Sequence, residues 1–365
     1  MLDSASKSDI MHLAIEKKSA KRRLFMASLN RKQQILKLIV EHFVKTAEPV
    51  GSQTLLDQYK LPYSSATIRN EMAELENLGY LEKTHTSSGR VPSASGYRYY
   101  VDYLREDDEI DPEAKQKIQA LFSKSDFQID NVIKQGCEII AQMTHLTSVM
   151  LGPDGKQERL QKVQLIPIND SSAVAIFITD CGHIEHKMFS IPVQVGIKDV
   201  EKCIEIINDR IAGTALDNVV EKIDALQPII AENVKHYDIV FKALMEVFKS
   251  FSNDRMNVFG RENVLEQPEF LTDIPKLKKL VKLLENDEAW KNLVGTDDVT
   301  VLIGDENSIQ SNLDDIAVIS AKLNISDNQT SQIALVGPTR MDYDKAIKIL
   351  KYFQEALETY NKERE

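Results

Sequence analysis

Ser64, Ser65, Thr67, Arg69 and Asn70 fall in one short run, Ser64-Ser65-Ala66-Thr67-Ile68-Arg69-Asn70-Glu71-Met72, which gathers hydroxyl, guanidinium and amide groups. These are groups that read nucleic acid: Arg suits guanine, Asn suits adenine, and an Ala methyl can meet a thymine methyl. A second set, His85, Thr86, Ser87 and Arg90, surrounds Gly89. Hydroxyls and cations at a loop tip can donate to phosphates or enter a minor groove. Enzyme chemistry is not expected, because no Gly-rich phosphate loop, G-x-S-x-G or H-E-x-x-H occurs. On a strand, Cys181, His183 and Glu185 would share a face. Their spacing matches no usual zinc pattern, so neither metal nor cofactor is expected.

Positioning the first set requires a helix. Ser64 is placed to cap it after the breaker Pro62, and Ile68, Met72, Leu75 and Leu78 recur at three- and four-residue steps, which assigns one face to a core. At about 100° per residue the opposite face carries Ala66, Asn70, Ala73 and Asn77, flanked by Thr67 and Arg69. Upstream, Asn30 caps a helix with the apolar pairs Ile35/Leu36, Ile39/Val40 and Phe43/Val44. The chain breaks at Glu48-Pro49-Val50-Gly51, and Ser52 is expected to cap a short helix with Leu55, Leu56 and Tyr59. Three helices with a short turn around Lys60-Leu61-Pro62 form a helix-turn-helix core, which puts its last helix in the major groove. Past the helix-stop residue Gly79, strands on either side of the tip at residues 85–90 complete a winged helix-turn-helix that reads duplex DNA.

At this point the sequence resembles a known family. Glu48-Pro49-Val50-Gly51-Ser52, Ser65-Ala66-Thr67-Ile68-Arg69-Asn70-Glu71-Met72, His85-Thr86-Ser87-Ser88-Gly89-Arg90-Val91-Pro92 and Gly96-Tyr97-Arg98-Tyr99-Tyr100-Val101-Asp102 resemble, in order and spacing, the signature blocks of HrcA. This is the family of bacterial heat-inducible transcription repressors. Ile303-Gly304-Asp305-Glu306-Asn307 and Val336-Gly337-Pro338-Thr339-Arg340-Met341-Asp342-Tyr343 are similar to its C-terminal blocks. Thr84 and Ser93 depart from the usual Pro and Thr, and neither removes a donor that DNA binding needs. The resemblance implies a GAF-like domain interrupted by an inserted dimerising domain. It also implies a CIRCE-type inverted-repeat operator upstream of chaperone operons such as groE and dnaK, and an active state maintained by the GroE chaperonin and lost on heat stress.

Composition agrees with this division. Residues 17–105 hold 15 Lys and Arg against 8 Asp and Glu, whereas the whole chain carries −11. A basic end supplies salt-dependent affinity for phosphate, and an acidic remainder confines the contact to that end. At 365 residues and 42% hydrophobic the chain holds two or three cores. No apolar run approaches the roughly 18 residues that span a bilayer. Cys137, Cys181 and Cys203 include no C-x-x-C, which argues for reduced thiols in a cytoplasmic protein.

Beyond the wing, β-branched runs predict strands at 147–153, 160–168, 173–179, 183–191, 299–303, 315–322 and 332–337. Helices are expected at 112–146, 198–251, 275–285 and 343–360. Strands at both ends of a helical block suggest one αβ domain interrupted by an insertion. The expected organisation is α+β and multidomain. It has a disordered basic leader (1–28), the DNA-binding domain (29–105), a GAF-like domain in two parts (106–194 and 269–365) and the inserted dimerising domain (195–268). Expected partners are double-stranded DNA, a second copy of the chain and the chaperonin. A different class of reading is a winged-helix regulator that senses a small ligand in its αβ domain.

Overall fold

The fold is given by a computed structural model that describes residues 22–365, apart from 85–88, 107–108, 124–128, 153–157, 170, 181–183, 192–194, 254–255, 287–288, 291–292, 294, 296–297, 308–313, 327–328 and 364–365. It is a mixed helix and sheet protein with separate cores. The leader does not run unstructured to residue 28: residues 22–28 are helical (α1), and Arg22 pairs with Glu41 at 2.6 Å.

α2 (Arg31–Thr46) begins with a reciprocal cap, in which the Gln33 backbone N–H donates to the Asn30 side chain and the Asn30 N–H to the Gln33 side chain, each at 3.0 Å. Its apolar stripe buries Ile35, Leu36, Ile39 and Val40. α3 (Ser52–Tyr59) departs from expectation at its start. Gly51 occupies the cap position without a side-chain bond, and the Ser52 hydroxyl lies 3.1 Å from that of Ser65 instead. The C-cap Lys60 is left-handed, and the chain then turns into α4 (Ser65–Asn77), capped by Ser64 as expected. Gly79, at φ +81°, directs the chain into β1 (Leu81–Lys83), which pairs antiparallel with β2 (Arg90–Pro92). Arg90 also bridges Val50, each backbone N–H donating to the other's carbonyl at 2.9 Å. Ser93 caps α5 (Ala94–Tyr99), which continues as a π-helical turn over Tyr100–Leu104. Gly96 is needed there, since a Cβ would sit 2.1 Å from the Tyr80 carbonyl oxygen.

α6 (Pro112–Phe122) and α7 (Ile129–Thr144) lead to β3 (Thr147–Leu151), a strand of a five-stranded antiparallel sheet. From β3 the chain enters a second, four-stranded sheet made by β4 (Arg159–Asn169), β5 (Ser172–Thr179), β6 (Ile184–Ser190) and the short β7 (Thr214–Ala215), in the order β6-β5-β4-β7. α8 (Ile197–Ile211), α9 (Leu216–Ala225), α10 (Gln227–Asn233) and α11 (Tyr237–Asn253) cover one face of this sheet. Strands 160–191 were expected in the first part of the interrupted domain, with the insertion starting at 195. They instead share a core with the helices that follow. Ala173, Ala175 and Phe177 alternate inward with the strand period of two and meet Cys203, Ile207 and Phe248. The return is also earlier than residue 268, because β8 (Met256–Phe259) already pairs with β3, Val149 facing Val258.

α12 (Arg261–Leu265), α13 (Pro268–Leu271) and α14 (Ile274–Leu284) precede β9 (Val299–Ile303), β10 (Ile316–Ser326), β11 (Gln329–Pro338) and the closing helix α15 (Tyr343–Lys362). The five-stranded order is β8-β3-β11-β10-β9. Alternation along β10 sorts its two faces: Ile319, Ala321 and Leu323 join Ile133, Ile140 and Phe353 of α7 and α15, while Ile316 and Val318 join Leu280 and Trp290. The Trp290 indole donates to the Leu283 carbonyl at 2.7 Å, satisfying its one polar group inside that core.

Cys137 and Cys203 are free and buried, and burial pushes both thiols up to about 12. Cys181 and His183 lie outside the described residues, among which no group of three or more His, Cys, Asp or Glu is placed to hold a metal ion. No helix among the described residues is long and apolar enough to cross a membrane.

Candidate nucleic-acid interface

α4 divides as its periodicity predicts except at its end, where Leu78, expected in the core, is the C-cap residue and 59% exposed. Ile68, Met72 and Leu75 are buried, whereas Ala66, Arg69, Asn70, Ala73 and Asn77 are exposed. The five candidate residues of this helix play two different parts. The Ser64 hydroxyl accepts the Thr67 N–H at 3.1 Å and lies 2.9 Å from the Thr67 hydroxyl, and Ser65 is engaged by Ser52. Those three side chains fix the start of the helix. Arg69 and Asn70 make no hydrogen bond or ion pair among the described residues, and both project from its first two turns. A guanidinium and an amide held there are free to meet base edges at low reorganisation cost.

Sequence reading passed over the acidic side of this helix. Glu71, Glu74 and Glu76 would repel a phosphate backbone, yet each has a cation supplied by a neighbouring element. Arg31 of α2 reaches Glu71 at 3.2 Å, with its guanidinium also 5.1 Å from the centre of the Tyr63 ring. Lys32 pairs with Glu74. Lys83 of β1 and Arg90 of β2 both hold Glu76, at 3.1 Å and 2.7 Å. α4 therefore presents Arg69 as a net positive charge at its exposed face. The signal in the sequence was the two basic residues that open α2 after Asn30, but only the packing of α2 on α4 assigns them partners.

Arg90 is engaged differently from the expectation of a phosphate contact. Its Nε and Nη2 both donate to Glu76 Oε2 at 2.7 Å, and the side chain is largely buried. It ties β2 to α4, and a phosphate contact would require that pair to open. Burial pushes the Glu76 carboxyl up, but hydrogen bonds from Lys83 and Arg90 outweigh it and hold the group below the usual glutamate value. A carboxyl depressed in the folded state contributes stability above its unfolded pKa, and that contribution is lost as pH falls through the folded value. The tie between hairpin and helix is thus present at neutral pH and loosens in acid. Arg90→Ala is expected to weaken binding to matched and unrelated duplexes by a similar factor and to leave the slope of log affinity against log salt unchanged. Anisotropy titrations over a salt series check this, and a slope lowered by about 1 would assign Arg90 to a phosphate. The other three wing candidates, His85, Thr86 and Ser87, lie outside the described residues.

The tyrosines after the hairpin are packing residues. Tyr99 stacks at 5.0 Å on Tyr80 and 4.9 Å on Tyr103, and its hydroxyl accepts from Gln33 at 3.0 Å. Tyr97 is buried against Tyr343, ring centres 5.7 Å apart.

The described geometry has counterparts among known proteins. The family model of the HrcA protein C-terminal domain matches residues 130–347. The chain is 37% identical over 332 residues to the heat-inducible transcription repressor HrcA of Bacillus pumilus, spanning 90% of this chain and 96% of that protein. The chain belongs to the HrcA family. A second HrcA repressor, from Halalkalibacterium halodurans, is 35% identical over 331 residues, again 90% of this chain and 96% of the relative. HrcA similarity therefore reaches well beyond the stretch that the C-terminal family model matches. A crystal structure of a hypothetical protein superposes with a TM-score of 0.62 at 22% identity, covering 92% of this chain and 99% of that one, a likeness of fold alone.

Proposed function

We propose that this HrcA-family chain is a homodimeric transcription repressor whose N-terminal unit is a winged helix-turn-helix. In this reading α4 enters the major groove, an earlier helix crosses the backbone and the β1–β2 hairpin is the wing. The observation that carries it is the exposed pair Arg69 and Asn70 on a helix whose three carboxylates are each paired by α2 or the hairpin. The operator is an inverted repeat of CIRCE type upstream of chaperone operons, and the GroE chaperonin maintains the active fraction. A rise in unfolded clients then withdraws the chaperonin, and the ratio of folded to unfolded repressor falls about tenfold for each 1.4 kcal/mol of lost stability.

The five-stranded unit is read as the GAF-like domain and the unit built on β4–β7 and α8–α11 as the inserted dimerising domain. Support for the latter is the open face of its sheet. Helices cover the side bearing Phe177 and Phe189, while Met188, Val174 and Ile166 stand opposite one another on the other side. Met188 is 68% exposed and Ile184 63% exposed on that face. Purified full-length protein is expected to bind an inverted repeat from a chaperone promoter with an affinity that falls linearly on logarithmic axes with salt, and to protect both arms in a footprint. Duplex binding with no salt dependence, or none at all, overturns the reading.

A further inference from the structure

The N-terminal unit is bolted to the αβ domain at two separated points. At the first, Arg98 of α5 donates through Nη2 to the Val301 carbonyl at 2.5 Å and through Nε to Glu306 Oε1 at 2.9 Å. Glu306 is itself held by the Ile303 N–H at 2.9 Å, so the acceptor is fixed before Arg98 arrives. At the second, Arg340 after β11 donates through Nη1 to the Val44 carbonyl at 3.1 Å and pairs with Glu269 of α13. Val44 lies in the last turn of α2, where carbonyls lack helical partners, and a cation there also suits the helix dipole. Within the N-terminal unit, Lys37 of α2 is 1% exposed and ties α2 to the end of the π-helical turn, donating to the Leu104 carbonyl at 2.9 Å while pairing with Glu41 at 2.9 Å and Glu106 at 3.2 Å. Between these points Tyr97 packs on Tyr343 in a core that runs without a break from Ile35 to Leu357.

We infer that Arg98 and Arg340 are positioning residues that set the separation of half-sites the repressor accepts, independently of the bases it reads. This rests on the dimeric repressor reading above. Two DNA-binding units on loose tethers gain effective concentration over many spacings, because the tether adapts. Units fixed to a rigid dimer gain it only where the DNA repeats the protein's own geometry, since a base pair added or removed both translates and rotates one half-site about the duplex axis. Both arginines bridge elements far apart in the chain, and neither is on the exposed face of α4. Removing them leaves the reading groups in place and frees their orientation.

The test uses full-length parent, Arg98→Ala, Arg340→Ala and the double variant. Each is titrated against inverted repeats with spacers lengthened and shortened in single base pairs and against a duplex with one half-site. The parent should show a sharp optimum. The double variant should keep half-site affinity within about twofold of the parent, lose about tenfold at the optimal spacer and give a flattened profile. Glu306→Gln, which keeps the shape of the acceptor and removes its charge, should flatten the profile in the same direction and serves if the alanine variants fail to fold. A folded dimeric double variant with the parent's sharp optimum overturns the inference. So does a loss that is equal on half-site and full operator, which would mean that the arginines act only on the fold of the N-terminal unit. A parent that does not prefer any inverted repeat over a scrambled duplex fails at the repressor reading itself, and is told apart by that measurement alone.

Discussion

On the proposed homodimer, Met188→Glu combined with Ile166→Glu is expected to separate the two copies and to lower operator affinity by about 10²- to 10⁴-fold, the gain that linking two modules supplies. The expectation follows from the open face of the four-stranded sheet. The register places Met188 opposite Val174 and Val174 opposite Ile166, with Ile178 opposite Ile184 further along, so an apolar strip runs through Val174, Ile176 and Ile178 of β5 between the polar neighbours His186, Gln164 and Lys162. Patches of this kind mark contact sites in soluble proteins. A carboxylate buried in such a contact without a partner costs several kcal/mol, so two on each copy outweigh the apolar gain of the patch. The inner core, built from Phe177, Phe189 and Phe248, is untouched, so the unit should stay folded. Sedimentation velocity gives the mass and anisotropy the affinity. A double variant that sediments as a dimer and binds normally would move the two-fold to another surface.

Arg69→Ala has the next largest effect and a different signature. A bidentate pair to a base edge is worth about 1–3 kcal/mol of discrimination, roughly five- to 150-fold in affinity. The loss should appear on the matched operator and nearly vanish on a duplex substituted at the contacted position, because the variant no longer distinguishes the two. Stability should be unchanged, since Arg69 is exposed and makes no ion pair among the described residues. Equal loss on matched and substituted duplexes would reduce Arg69 to a general cationic contact.

Local chemistry was the legible part of this fold. Asn30 and Ser64 cap the helices they were assigned, Gly79 turns the chain and the strands at 299–303 and 147–151 form where β-branched residues cluster. Ser52 was misread because a serine after glycine looks like a cap, whereas the extended Gly51 takes that position and the hydroxyl goes to Ser65. The grouping of the strands at 160–191 was misread for a related reason. A strand carries no mark of which sheet it joins, and the alternation of β5 is satisfied equally by either core. Ion pairs were least legible. Arg90 with Glu76 spans 14 positions and Arg98 with Glu306 spans 208, and composition alone cannot match such partners. Arg90, expected at a phosphate, pairs with Glu76 of α4, and the basic residues opening α2, singled out for nothing, pair with Glu71 and Glu74.

The core that runs from Ile35 to Leu357 joins the N-terminal unit to the five-stranded sheet, so the two are expected to melt together, while the four-stranded sheet and its helices have a core of their own around Phe177, Phe189 and Phe248. Warming that exposes the core beneath α2 is expected also to loosen α7, α15 and the sheet they cover, so loss of the N-terminal fold should coincide with the exposure of a large apolar interior.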